Sequence, residues 1–167
     1  MKWIGAFLCF FTSVAIGCMA GKNEKMRTEQ CEAFLEFFVY IQNQVGYFLA
    51  PTKLMYKNFH NVVLEKTGFL DTLCAHENDD VYFNVWERAL SDCKESLKLS
   101  ETQYGIVHAF GSCIGKSNEE LQLKNLEYYT KAMRTETEKQ KKQMQKNIKL
   151  YRTLGFSAGA AILILVI

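Results

Sequence analysis

The sequence predicts an all-α protein: a helical bundle flanked by N- and C-terminal transmembrane helices, its long terminal helix running into the membrane. Three observations support this. The 167 residues contain one proline, a residue that removes a helical hydrogen bond and clashes with the preceding turn, so its scarcity suits long helices. Apolar residues recur at spacings of three and four, without strand-like alternation. Uncharged runs occupy both ends of the chain.

The first element, residues 1–21, holds the run Trp3 to Gly21, fenced by Lys2 and Lys22. Nineteen helical residues span about 28 Å, close to the hydrocarbon thickness of a bilayer. The last element, residues 153–167, is also uncharged but shorter, about 22 Å as a helix. Lys149 and Arg152 can extend their stems toward headgroups and make up part of that shortfall.

Charge orients the chain. Lys22, Lys25 and Arg27 follow the first run, and Lys139, Lys141, Lys142, Lys146, Lys149 and Arg152 precede the second with no acid among them. Between Thr28 and Glu138, ten bases face seventeen acids, a net of −7. Basic clusters abutting both anchors from the intervening domain predict that residues 22 to 152 lie in the cytoplasm. A competing reading remains: Met1-Lys2 with an apolar run and Ala15-Ile16-Gly17-Cys18 also fits a cleaved signal peptide with a lipidated Cys18. The domain would then be an exported, tethered binding protein. Cys31, Cys74, Cys93 and Cys113 follow that choice, as buried thiols in the cytoplasm or as disulfides, in any of three pairings, outside.

Within the predicted soluble bundle, residues 22–138, the first helix carries Met26, Phe34, Phe37, Ile41, Val45 and Phe48 on one stripe and Cys31, Leu35, Phe38 and Leu49 on another, with Gln30 continuing the first. Ala50-Pro51 ends it, since the residue before proline avoids helical angles. Pro51 then opens a second helix with Leu54, Met55, Phe59, Val62 and Val63, closed at Thr67-Gly68. A short apolar piece covers Phe69 to Ala75, and Glu77 to Asp80 form a polar break whose acids suit a helix start. The next helix carries Val81, Tyr82, Val85, Trp86, Ala89, Leu90 and Cys93. Ser100 with Gln103 forms a capping box opening a helix through Val107 and Phe110 toward Gly115; Ser117 with Glu120 forms a second. The terminal helix starts near Asn118 with Leu121, Leu123, Leu126, Tyr129 and Met133 facing inward. From Arg134 to Gln143 it has nothing apolar, and Thr137 and Gln140 stand where a coiled-coil seam wants apolar residues. An exposed stalk is expected there, leading into a basic juxtamembrane helix, residues 139–152.

No catalytic constellation is legible. Gly105, Gly111 and Gly115 do not form a phosphate loop, and Cys74-Ala75-His76 offers two metal ligands with no further pair. His60, His76 and His108 lack a readable nucleophile-and-acid neighbourhood, and Asp79-Asp80 is explained as helix-start charge. No cofactor, metal or nucleic acid is expected. Lys22, Lys25, Arg27, Lys142, Lys146, Lys149 and Arg152 are assigned to anionic lipid at the membrane surface.

Tyr151-Arg152-Thr153-Leu154-Gly155-Phe156 with Ser157-Ala158-Gly159 and an aliphatic terminus resembles the ending of the stage III sporulation protein AB family. Ile4-Gly5-Ala6-Phe7 with Ser13 and Gly17 is similar to its opening, and Phe110-Gly111, Ile114-Gly115, Ser117 and Gln122 resemble its internal segment. Ile114 and Asn118 stand where the family has Leu and Asp. Its Glu-Ile-x-Tyr-x-x-Thr-Pro-Leu stretch is met only by Gln44, Val45, Tyr47, Ala50, Pro51 and Thr52, keeping the tyrosine and proline but not the acid or the threonine. The resemblance implies a bundle of about six helices, similar to the cytoplasmic domain of the type II secretion inner-membrane platform protein. It implies a scaffold subunit in the mother-cell membrane facing the forespore, within a secretion-like channel complex needed for endospore formation, docking a cytoplasmic secretion-type ATPase. Tyr47, Pro51, Gly115, Ser117 and Gln122 are the candidate partner-binding residues.

Overall fold

The computed structural model describes residues 2–48, 52–75, 82–115 and 119–166. Among them are seven α-helices and no strand: α1 Lys2–Asn43, α2 Thr52–Asn58, α3 Val62–Lys66, α4 Phe69–Ala75, α5 Tyr82–Asp92, α6 Glu101–Gly111 and α7 Glu119–Val166. The predicted all-α bundle is the observed class. α1 passes directly into a π-helical turn, Gln44–Phe48. The chain divides into two compact units, one of Met1–Thr28 with Lys139–Ile167, the other of Glu29–Glu138.

The larger unit is built around an aromatic core. Phe34, Phe37, Phe38, Phe69, Trp86 and Phe110 are fully buried. The Trp86 indole lies parallel to the Phe37 ring, 5.8 Å between centroids, and Phe38 stacks on Phe110 at 3.6 Å. Trp86 also donates its Nε1 hydrogen to the Val107 carbonyl at 3.0 Å, so its polar atom is satisfied where water is absent. An indole buries roughly 150–250 Å², worth about 4–6 kcal/mol of transfer free energy. Gln30 extends the apolar stripe of α1 while remaining polar. Its side chain donates to the Ser96 carbonyl at 3.0 Å and accepts from Lys98 N at 2.6 Å, tying down the segment after α5.

The helix ends follow local chemistry. Ser100 and Gln103 form the expected capping box, the Ser100 hydroxyl accepting from Gln103 N and the Gln103 side chain accepting from Ser100 N. Gly68 and Gly115 adopt φ of 79° and 78°, left-handed conformations that end α3 and the turn after α6.

Other expectations need correction. The single helix expected from Pro51 to Thr67 is two, broken at Phe59 to Asn61. Asn61 causes the restart: its Oδ1 accepts from Val63 N and Leu64 N, a cap that competes with continuing the helix from α2. The exposed polar stalk is also not observed. Thr130, Thr137 and Gln140 are buried, with Leu126 and Met133, at alternating spacings of four and three. Thr137 Oγ1 donates to the Met133 carbonyl at 2.8 Å and lies 3.4 Å from the Cys31 carbonyl of α1, so a small polar side chain fills the seam by bonding its own helix. Leu121, expected inward, is 55% exposed.

Among the described residues, no helix is long and apolar enough to cross a membrane. The two predicted transmembrane helices are therefore not recovered as spans. The side chains of residues 1–7 and 9 lie outside the description, which shortens the first run, and the second is only fifteen residues from Thr153 to Ile167.

Candidate functional site

Two regions draw on the sequence-predicted site residues. The first lies in the larger unit, where the π-turn after α1 approaches the start of α7. A Cβ on Gly46 would stand 3.3 Å from Leu123 Cδ1, so the glycine lets the widened turn sit against α7. π-turns recur at functional positions because they release one backbone carbonyl from the regular ladder. The candidate segments around Tyr47 and around Gln122 thus share one end of this unit. Gly115 is exposed and Gln122 is 8% exposed. The Tyr47 side chain, Pro51 and Ser117 lie outside the described residues, as do the Ser117 capping box and Glu77 to Asp80.

Sequence reasoning missed the outer face of α7 beside this end. Leu121 and Tyr128, seven residues apart and therefore on one side of the helix, are 55% and 66% exposed. Lys124 pairs with Glu120 and Lys131 with Glu127, each at 2.7 Å. The Lys131 hydrogen bond and charge hold the Glu127 carboxyl below its ordinary range.

The second region is the smaller unit, a helix pair formed by the start of α1 and the end of α7. Its contacts run through small residues: a Cβ on Gly17 would fall 2.7 Å from the Tyr151 carbonyl oxygen, and one on Gly155 3.1 Å from that of Ser13. Gly159 seats the Phe10 ring. The large apolar side chains turn outward, with Leu8, Phe11, Ile16, Met19, Leu154, Phe156 and Ile164 all more than half exposed. The signal available in the sequence was the spacing of four in Gly17/Gly21 and Gly155/Gly159. At the basic end, Lys22, Lys25 and Arg152 line a cleft of about 200 Å³ with Gly17, Cys18, Gly21 and Ile148. Lys142, Lys146 and Lys149 are exposed elsewhere on α7, and Arg27 is half-buried on α1.

Among the described residues, two groups that could act as nucleophiles have shifted pKa values. Burial pushes the Cys93 thiol up, helped by Asp92 and Asp71 and opposed by a Thr72 hydrogen bond. The Tyr104 phenol is pushed up by burial and by Glu87 and Glu101. Both shifts favour the protonated form, whereas a nucleophile needs the reverse. His60 and His108 stand 3.4 and 3.7 Å from Glu65 and Glu87. Among the described residues, no group of three His, Cys, Asp or Glu side chains could hold a metal. Cys18, Cys93 and Cys113 are free thiols, the first exposed and the others buried.

The sequence profile described as stage III sporulation protein AB matches residues 2–167. The chain belongs to that family. A solved structure described as stage III sporulation protein AB (SpoIIIAB) is similar over 72% of this chain and 97% of that one, with a TM-score of 0.58 and 17% identity. At that identity the likeness concerns the fold. No curated protein matches.

Family membership gives the Phe110-Gly111 motif a physical meaning in this chain. A Cβ on Gly111 would come within 2.1 Å of Trp86 Cδ1, so the glycine opens the slot that the central indole occupies. Phe110 is the ring stacked on Phe38. This part of the internal motif is core architecture. At its other end Gly115 is exposed, while Gln122 is buried and precedes Leu123, the residue that meets the π-turn.

Proposed function

We propose that this family member is a non-catalytic, membrane-anchored scaffold subunit of a secretion-like complex used in endospore formation. Its helical bundle faces the mother-cell cytoplasm and docks a cytoplasmic secretion-type ATPase. The observation carrying the reading is the inverted packing of the helix pair: glycines inside, leucine, isoleucine, methionine and phenylalanine outside. In water that arrangement exposes apolar surface without return. In lipid it is favourable, because outward side chains are solvated by acyl chains and close backbone approach maximises dispersion. The basic residues on both helices of the pair support cytoplasmic placement of the bundle. Unbridged Cys18, Cys93 and Cys113 fit a reducing compartment. The outer face of α7 with Leu121 and Tyr128, beside the π-turn, is the surface assigned to the ATPase.

Two measurements test this. A cysteine placed at exposed Ser91 on α5 is expected to react with a membrane-impermeant maleimide only after the cell membrane is opened. Reaction in intact cells, or an N-terminus trimmed to Cys18, supports the exported, tethered alternative instead. A photo-crosslinking residue at Leu121 or Tyr128 is expected to capture the ATPase, and one at Ser91 is not. Equal capture from both faces removes the assignment of α7.

A further inference from the structure

The cleft at the basic end of the helix pair has the composition of an anion site. Gly17 and Gly21 are one turn apart on α1 and share a face. At Gly17 the backbones are in close contact, while at Gly21 the nearest atom to a Cβ would be Ile148 Cγ1 at 3.6 Å. The missing side chains leave the space of about 200 Å³. Lys22 and Lys25 border it from α1 and Arg152 from α7, and no acid lines it. Glu24, the one acid of this unit, accepts a hydrogen bond from Gln140 Nε2 at 2.9 Å. Cations gathered around one cavity give it a positive potential that favours an anion.

The cleft is also amphiphilic along its length. Gly17 and Cys18 belong to the uncharged run and the three cations lie beyond it. Arg152 offers a planar fork of donors that fits two phosphate oxygens, and the lysines add rotatable ammonium groups. Resting on the membrane-anchored reading, we infer that this cleft binds one phosphate-bearing anionic group, supplied by the headgroup of a membrane lipid. It would fix the depth of the helix pair at one point, whereas the exposed Lys142, Lys146 and Lys149 give only diffuse attraction.

The test uses the full chain in nanodiscs of phosphatidylcholine alone or mixed with phosphatidylglycerol. Exposed Cys18, which lines the cleft, reports occupancy through its rate of reaction with neutral N-ethylmaleimide, read by peptide mass. Slowing in phosphatidylglycerol by about threefold or more is expected, corresponding to occupancy above about two thirds. Lys22→Gln with Arg152→Gln should abolish the difference, and Gly21→Ile, which fills the cleft at unchanged charge, should do the same. Lys142→Gln with Lys146→Gln, an equal charge loss outside the cleft, should leave it intact.

Slowing that persists in the first two variants, or is lost equally in the third, reduces the effect to general surface charge and overturns the proposal. Inorganic phosphate added to phosphatidylcholine nanodiscs should not protect Cys18. Equal protection would assign the cleft to a soluble anion and refute the lipid assignment. Failure of the protein to incorporate into either nanodisc would refute membrane anchoring itself, a separate outcome.

Discussion

Replacing Gly111 by alanine adds one methyl group where the structure has no room for it. The new Cβ would lie 2.1, 2.2 and 2.3 Å from Trp86 Cδ1, Nε1 and Cγ, against an ordinary contact distance of about 3.5–4.0 Å. The indole cannot simply slide, because it is stacked against Phe37, edge-on to Phe69 and bonded to the Val107 carbonyl. Overpacking of this kind costs about 1–3 kcal/mol. Loss of the Nε1 hydrogen bond, with its partners left buried, adds about 1–3 kcal/mol. Alanine's better helix propensity returns up to about 1 kcal/mol. The expected net destabilisation is about 2–4 kcal/mol, a large share of the ~5–15 kcal/mol typical of a domain. Urea unfolding in detergent, followed by Trp86 fluorescence in a Trp3→Phe background, measures it; the chain has no other tryptophan. With a urea slope near 2 kcal/mol/M, the midpoint should fall by about 1–2 M. Gly105→Ala is the control, since its Cβ would meet nothing within 4 Å, and should raise stability by about 0.5–1 kcal/mol. A Gly111→Ala protein as stable as the parent would refute this reasoning, because the slot would then be adjustable rather than filled.

Asn61→Ala removes the cap of α3 and should lower the urea midpoint by an amount equivalent to about 1 kcal/mol. Asn61→Asp keeps the acceptor but sets a carboxylate against Glu36, now hydrogen-bonded to Asn61 Nδ2 at 2.9 Å, and should fall between the two. Gly17→Val drives a Cβ against the Tyr151 carbonyl, a backbone atom that cannot rotate away, and should lower the thermal midpoint in detergent. Gly21→Ala, opposite only the flexible end of Ile148, should leave that midpoint nearly unchanged. The lowered Glu127 pKa means that its pairing with Lys131 favours the fold above the ordinary glutamate range, and that this contribution is lost as pH falls through the folded value. Carbon-detected NMR titration should place Glu127 below an unpaired glutamate, and Lys131→Ala should return it toward the ordinary value.

Much of the bundle was legible because its helices advertise themselves locally. The stripe Phe34, Phe37, Phe38 and Ile41 is buried as its spacing requires, and the Ser100–Gln103 box forms from two residues three apart. Thr67-Gly68 stops α3 because the left-handed angle there favours glycine. Where neighbours decide, local reading failed. Thr137 and Gln140 look exposed by polarity, yet both are buried, because one bonds its own helix and the other finds Glu24 across the sequence. Leu121 looks buried by type but is exposed, since the inward positions near it are Gln122 and Leu126. Of the candidate partner residues, Gly115 and Gln122 could be named from the family motif, but the nearness of Gln122 to the π-turn depended on Gly46 meeting Leu123.

Residue order alone determined the helical class, the Ser100–Gln103 cap and the paired basic clusters. These depend on spacings of a few residues or on composition, and so need no knowledge of what packs where. Only the tertiary structure decided which polar groups are buried, that Gly111 exists for Trp86, and that Lys22, Lys25 and Arg152 converge on one cleft. Those features join residues far apart in the chain, and their energies come from contact distances that no local pattern encodes.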